Sequence, residues 1–217
     1  MKSHNWLVHK LILIEIQESA KKYAKGIMLD IGCGNKPYES VFAPYIEKHI
    51  GLDHQDSLHG LSRVDIIATA YNTTLPDKSV DTILCTDVLE HIERPWDAVK
   101  EMYRVLKPGG YLILTVPLFW HLHEEPRDFY RYTKHGLTYL LESSEFEIVE
   151  LKPFSGFLVT FGQELVYFLL RFRRGFFFRW IIDTLSFLIQ LCSYFLNRFD
   201  RSYQFTFDYL AVARKPD

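Results

Sequence analysis

Cysteine is scarce. The 217 residues hold three, Cys33, Cys85 and Cys192, far apart and in no metal-ligand spacing. That excludes a disulfide-stapled fold and favours reduced thiols in a cytoplasm. An excess of charge of one sign is missing too, and a net charge of -2 gives no general attraction to nucleic acid. No internal repeat and no low-complexity linker interrupts the chain. Solenoids are therefore excluded, and one domain with an elaboration is expected. The opening Met1-Lys2-Ser3-His4-Asn5 leads into a helical pattern carrying Glu15, Gln17 and Glu18, so no secretory leader is expected there. Lys, His and Pro are absent from residues 155–203, a stretch unlike the rest.

What is present is most informative between residues 27 and 53. The apolar run Ile27-Met28-Leu29 reads as a short buried strand and continues into Asp30-Ile31-Gly32-Cys33-Gly34-Asn35-Lys36. Two glycines at spacing two allow a tight turn and a close backbone approach to a ligand. A second apolar run, His49-Ile50-Gly51-Leu52, ends on Asp53, 19 residues past Gly34. Strand, glycine turn, helix, strand and carboxylate is the layout that holds an adenosine-bearing cofactor, with the carboxylate on ribose hydroxyls. A dinucleotide fingerprint needs a third glycine at 37, where Pro37 stands, so no pyrophosphate cradle is expected. Asp30 repels a phosphate and suits a cofactor carrying positive charge.

Periodicity predicts an amphipathic lead-in helix over 4–25. It predicts strands near 27–31, 48–53, 64–68, 80–85, 111–116, 146–152 and 207–213, and helices near 38–43, 94–106 and 134–143. Alternating strands and helices imply an α/β fold whose largely parallel sheet is covered on both faces. Pro108-Gly109-Gly110 is expected to stop the 94–106 helix and turn the chain into the next strand. Thr133 is expected to cap the helix that follows it.

Five segments carry a resemblance. They are Leu29-Asp30-Ile31-Gly32-Cys33-Gly34, Leu75-Pro76-Asp77-Lys78-Ser79-Val80-Asp81, Asp87-Val88-Leu89-Glu90-His91-Ile92, Val105-Leu106-Lys107-Pro108-Gly109-Gly110 and Leu114-Thr115-Val116-Pro117. In this order and spacing the chain resembles a class I S-adenosylmethionine-dependent methyltransferase of the type 11 group, over roughly residues 27–152 plus the final strand. The resemblance implies an enzyme with a Rossmann-like, doubly wound sheet of seven strands, the last antiparallel. Together with the periodicity, it gives a single methyltransferase domain over 1–217: a lead-in helix (4–25), a cofactor-binding core (26–154), an apolar two-helix insertion (155–203) and a final strand and tail (204–217). The implied cofactor is S-adenosyl-L-methionine. By the same resemblance, Asp30 and the backbone of Gly32, Cys33 and Gly34 hold its methionine part. Asp53 takes the ribose hydroxyls, Thr69-Ala70-Tyr71 faces the adenine, and Thr86 lines the cofactor floor. Two positions depart from many relatives. Lys36 stands in place of a third glycine, which changes little. Thr69 stands in place of an aspartate, so a hydroxyl or a carbonyl has to replace a charged acceptor. A second, local resemblance rests on Gly34-Asn35-Lys36-Pro37-Tyr38 and on His123 to Thr133. It is to methyltransferase-like proteins encoded with bacterial surface-polysaccharide enzymes.

His121, His123, Glu124, Glu125 and Asp128 crowd the loop after the fifth strand. Ligand sites in open α/β sheets lie at the carboxyl ends of strands, so this loop is expected to face the substrate. A base helps methyl transfer to a hydroxyl. The catalytic candidates are His123 and, after it, Asp128. The competing reading is an exposed polar loop braced by Arg127 and Asp128. A metal cluster from these residues is a lesser alternative, and no metal is expected. Arg127 and Arg131 are candidate clamps for a phosphate or carboxylate. His91 can lock the start of the next helix or act as an acid–base group, and the first is preferred.

Within 155–203, Asp183, Ser186, Gln190, Ser193 and Asn197 recur at steps of three and four. Thr160, Gln163 or Glu164, Tyr167 and Arg171 do the same. Each set forms one narrow polar stripe on an otherwise apolar helix. Two helices are expected, separated by the basic and aromatic cluster Arg171 to Trp180. They either pack against the sheet domain or a second copy, or form a monotopic hairpin dipped in a membrane. A full span is disfavoured by Asp183 and Gln190 inside the second block. The expectation is a cytoplasmic methyltransferase, at the inner face of the membrane in the second reading. It acts on a small molecule, a sugar or a lipid-linked intermediate, with methyl going to oxygen. No nucleic-acid partner is expected, and a homodimer is left open. One rival is a non-catalytic module of the same fold that binds a membrane or a partner. Another is a nicotinamide-dependent oxidoreductase, against which Pro37 argues.

Overall fold

The computed structural model describes residues 3–200 and 204–217. The expectations that touch Met1, Lys2 and residues 201–203 lie outside the described residues. The chain divides into two compact units. Among the described residues, a sheet unit comprises 16–117, 122–152 and 210–217, and a helical unit comprises 3–15, 118–121, 153–200 and 204–209.

Seven strands form one sheet: β1 (Ile27–Ile31), β2 (Lys48–Asp53), β3 (Ile66–Ile67), β4 (Val80–Thr86), β5 (Leu106–Pro117), β6 (Glu147–Pro153) and β7 (Asp208–Arg214). Their order is β3-β2-β1-β4-β5-β7-β6. β1 runs parallel to β2 and β4, β2 to β3, and β4 to β5. The last strand is antiparallel. Gly109 N–H donates to the Lys215 carbonyl (2.8 Å) and Lys215 N–H to the Gly110 carbonyl (3.0 Å), tying the start of β5 to the residue just past β7. The sheet is therefore the mixed, Rossmann-like one expected.

β1 and β4 occupy the middle of the sheet and are buried along nearly their whole length. Such strands read as continuous apolar runs because both faces must be covered. Met28, Leu29, Ile83 and Leu84 are fully buried. Each contributes about 1.5–3 kcal/mol relative to exposure. β6 has no fully buried residue and is exposed or half-buried along its length, as suits an edge strand.

The helices are α1 (Trp6–Tyr23), α2 (Glu39–Phe42), α3 (Pro95–Val105), α4 (Lys134–Glu142), α5 (Phe157–Leu170) and α6 (Gly175–Leu196). α3 has proline in its first turn, where a missing N–H costs nothing, and buries Ala98, Val99, Met102 and Val105 along one stripe. Thr133 caps α4 through a 3.0 Å bond from Gly136 N–H to its hydroxyl. Thr133→Ala is expected to cost about 1 kcal/mol, read as a lower midpoint in urea denaturation. An unchanged midpoint would show that the cap contributes nothing.

Two elements differ from the sequence reading. β3 shrinks to Ile66–Ile67. β5 begins at Leu106 rather than near 111, because α3 ends at Val105 and the strand starts at once. Val80 pairs with Leu106 but Thr82 with Tyr111, so the register shift places Lys107, Pro108, Gly109 and Gly110 in an irregular stretch inside β5. Pro-Gly-Gly thus bends a strand here instead of ending a helix.

The strand order reverses between β1 and β4. From that point the sheet extends to β2 on one side and to β5 on the other. Open α/β sheets place their ligand crevice at the carboxyl ends of the strands beside such a reversal.

Candidate active site

A cavity of about 900 Å³ opens in the sheet unit, within the usual range for small-molecule sites. Its wall comes from the segments that follow successive strands: Ile31 to Tyr38, Asp53 to His59, Ala68 to Tyr71, Thr86 to Val88 with His91, and His123 to Arg127.

The turn after β1 is fixed by backbone geometry. Gly32 has φ +69, and a Cβ there would lie 2.4 Å from the Val88 Cγ2 methyl. Only glycine combines that conformation with that clearance. Gly34 N–H donates to Asp53 Oδ2 (3.0 Å), and His54 N–H donates to Asp53 Oδ1 (2.8 Å). The buried carboxylate at the end of β2 therefore clasps the glycine turn, and it also lines the cavity. Each oxygen still has acceptor capacity for a ligand hydroxyl.

Cys33, Thr69, Ala70, Tyr71 and Thr86 line the cavity as well. Burial pushes the Cys33 thiol up to about 12, with Asp30 and Asp53 adding to the shift, so it is neutral and not a nucleophile. Tyr71 is anchored by its hydroxyl on Glu93 (2.7 Å), with the Arg94 guanidinium 4.8 Å from its ring centre. Asp30 is placed differently. It is buried, its Oδ2 lies 3.0 Å from His49 Nε2, and it is not among the lining residues. Burial pushes its carboxyl up and His49 opposes that. Its position is that of a brace between β1 and β2 behind the cavity wall.

The loop after β5 splits the expected cluster. His123, Glu124, Glu125 and Arg127 reach the cavity. His121 does not; in the helical unit its Nδ1 lies 3.2 Å from Glu164 Oε1. Asp128 does not line the cavity either, and its side chain is 1% exposed. Arg131 bonds both of its oxygens (2.5 and 2.8 Å), and the His123 backbone N–H adds a bond of 2.9 Å. The Arg131 guanidinium holds the Asp128 carboxyl down to about 2, against burial. Asp128 is thus held in its anionic form, a weak base away from the cavity, and Arg131 is engaged with it rather than with a substrate. Asp128 Oδ2 lies 3.5 Å from His123 Nδ1. A carboxylate there favours the proton on Nδ1, which leaves Nε2 as the basic nitrogen.

His91 and Asp87 also line the cavity; sequence reasoning weighed His91 as an acid–base group only as the lesser alternative and gave Asp87 no site role. His91 lines the cavity, with its ring centre 4.7 Å from that of His123. Its Nδ1 lies 2.6 Å from the Arg127 carbonyl. A carbonyl only accepts, so Nδ1 donates. Glu90, His91 and His123 bring ligand atoms within 4.8 Å of one another. Asp87 lines the cavity at φ +53 and accepts the Thr115 hydroxyl (2.7 Å), and burial pushes its carboxyl up. The left-handed backbone at Asp87, four residues before His91, is not announced by any residue propensity. The loop from His54 to His59 is a further wall with no periodic signal.

The donor set can be tested against a cofactor. Asp53, Asp56, Asp87, Glu124 and Glu125 border the cavity, with Arg127 as the cationic side chain on its wall. Such a wall suits a cation carrying hydroxyls and disfavours a phosphate-rich ligand.

Residues 29–114 match the profile of the family described as Methyltransferase domain. An uncharacterized methyltransferase from Mycobacterium leprae is 31% identical over 101 residues, covering 43% of this chain and 38% of that protein. One from Mycobacterium tuberculosis is 34% identical over 96 residues, covering 41% and 38%. The chain thus spans 38% of the length of these curated relatives. An S-adenosylmethionine-dependent methyltransferase from Archaeoglobus fulgidus superposes with TM-score 0.62 at 18% identity, covering 96% of this chain and 93% of that chain. The cyclase SpnF gives TM-score 0.64 at 22% identity, covering 94% and 80%. Likeness at these identities carries the fold. The methyltransferase-domain match runs from within β1 through β4 and most of β5, and it stops before His123 and the two helices of the insertion.

Proposed function

We propose that the chain is an S-adenosylmethionine-dependent methyltransferase that methylates an oxygen of a small, hydroxyl-bearing acceptor, a sugar or a lipid-linked intermediate. The observation that carries the reading is the coincidence of the matched residues 29–114 with a carboxylate-rich cavity whose glycine turn is clasped by Asp53. In this reading Asp53 holds the ribose hydroxyls and the Gly32–Gly34 backbone the methionine end. Thr69, Ala70 and Tyr71 flank the adenine, and Thr86 forms the floor. The bound cofactor supplies a methyl group on a sulfonium, open to in-line attack. The chain positions the acceptor hydroxyl beside His123 and takes its proton on Nε2. Asp128 keeps the other ring proton on Nδ1, so the receiving nitrogen stays basic. Glu124, Glu125 and Arg127 offer polar partners for a hydroxyl-rich acceptor of the kind handled in surface-polysaccharide assembly. Cys33 and Cys85, buried and unpaired, suit a cytoplasmic setting.

Calorimetric titration with S-adenosylmethionine and S-adenosylhomocysteine tests the cofactor reading. Saturable one-to-one binding of each is expected. Binding of neither would overturn it and favour a non-catalytic module. Mass-spectrometric detection of methyl on a sugar or lipid-linked acceptor then tests the acceptor class.

A further inference from the structure

We infer that the α5–α6 hairpin of the helical unit is an interfacial anchor for an anionic phospholipid surface. The hairpin is polar inside and apolar outside. α6 buries Ile182, Ser186, Gln190 and Ser193, three of them polar, and α5 buries Thr160 and Gln163 beside Val159 and Val166. Several of the inward polar groups bond at hand, while Ser186 Oγ and Gln163 Oε1 are buried without a hydrogen-bond partner among the described residues. Gln190 Oε1 accepts Leu7 N–H (3.3 Å), Gln163 Nε2 donates to the His4 carbonyl (2.9 Å), and Ser193 Oγ donates to the Leu158 carbonyl (3.0 Å). A Cβ on Gly162 would meet Ser193 Oγ at 2.4 Å, so the two helices approach through small residues. Small residues and hydroxyls at a helix contact are the membrane manner of packing.

The outward face is aromatic. Phe176 is 91% exposed, Phe199 68%, Phe177 67% and Trp180 64%. α6 with its following turn, Gly175–Phe199, is long and apolar enough to cross a membrane, and only 17% of its apolar window is buried. The core helix of a water-soluble protein shows the reverse. An exposed apolar surface on this scale marks a partner or a membrane.

Charge selects the membrane. Residues 157–199 carry five arginines (171, 173, 174, 179, 198) against two acids, Glu164 and Asp183, a net of +3 in a chain whose total is -2. Arg173 is neutralised by Asp183 through two bonds (2.6 and 2.8 Å). Arg171 and Arg174 lie at the turn between the helices and Arg179 just inside α6, close in sequence to the exposed Phe176, Phe177 and Trp180. This is the composition of a helix surface lying at lipid headgroups, with rings in the acyl boundary and guanidinium groups on phosphates. Depth follows from length. α5 has 14 residues, about 21 Å at 1.5 Å each, too short for a hydrocarbon core of about 30 Å. A full crossing would also drag the arginine turn through hydrocarbon. The hairpin therefore lies in the interface plane.

The test is flotation of the full chain with phosphatidylcholine vesicles, with and without phosphatidylglycerol. The expected result is binding to the anionic vesicles that fades with salt. The triple variant Arg171→Glu, Arg174→Glu, Arg179→Glu should lose at least about 10²-fold in partitioning. Phe176→Ser with Phe177→Ser should lose binding too, with circular dichroism unchanged because these side chains are exposed. Three results overturn the inference: no binding to either vesicle, salt-resistant binding equal on both, or a stable dimer that ignores vesicles. Vesicle binding needs no cofactor, so its failure leaves the catalytic reading standing, and the converse holds.

Discussion

His123→Ala is expected to lower turnover by about 10²–10⁴-fold, the range for losing a positioned general base, with little change in affinity for S-adenosylmethionine. The expectation rests on the Proposed function and on three contacts. His123 lines the cavity, its backbone N–H is fixed on Asp128, and its Nδ1 faces the same carboxylate. Turnover must fall on the acid side, because a protonated imidazole cannot take a proton, and that acid limb should disappear in His123→Ala. Asp128→Asn separates positioning from structure. The Asp128 carboxyl, held at about 2 by Arg131, stays ionised throughout the working range. Removing that anion makes His123 easier to deprotonate, so the acid limb should move to lower pH while the maximal rate drops. A purely structural role would lower the rate without moving the limb. An unchanged rate in His123→Ala, or an acid limb that survives the substitution, would remove His123 from the reaction and direct attention to His91.

What the sequence made legible follows from how local each constraint is. The Gly32–Gly34 turn and Asp53 were readable because a left-handed backbone and a strand-ending carboxylate are requirements of a few adjacent residues. The order of elements was readable for the same reason, since alternation of strand and helix periods is local. The start of β5 was not. Pro108-Gly109-Gly110 carries the chemistry of a turn, and only pairing with β4 absorbs it into a strand. Asp30 was misplaced because sequence cannot show that His49, 19 residues on, takes its carboxylate. Asp128 and Arg131 were read as substrate groups, but their mutual bonds sequester both. His91 lines the cavity close to a left-handed residue, Asp87, that no propensity announces. The stripes of α5 and α6 were found by their period, yet period alone does not say which side faces in. The structure answers that the polar side does.

Asp53→Ala is expected to weaken S-adenosylmethionine binding by roughly 1.5–3 kcal/mol, the worth of hydrogen bonds to a charged group, or about 10- to 150-fold in Kd. The carboxylate has two tasks, and the experiment has to part them. It accepts Gly34 N–H and His54 N–H, so its loss also loosens the turn that shapes the cavity. A fall in denaturation midpoint is therefore expected alongside the loss of affinity, and by itself it says nothing about ribose. The separating measurement is a cycle with the 2′-deoxy analogue of S-adenosylhomocysteine. If Asp53 holds the ribose hydroxyls, the analogue binds the parent chain more weakly than S-adenosylhomocysteine does. In Asp53→Ala the two ligands then bind nearly alike, because the lost hydroxyl has no partner left to miss. If the analogue's deficit is the same in parent and variant, Asp53 shapes the turn without touching the ribose. The hydroxyls would then have to be held by another cavity group on the same wall, of which His54 and Gln55 are the nearest in sequence.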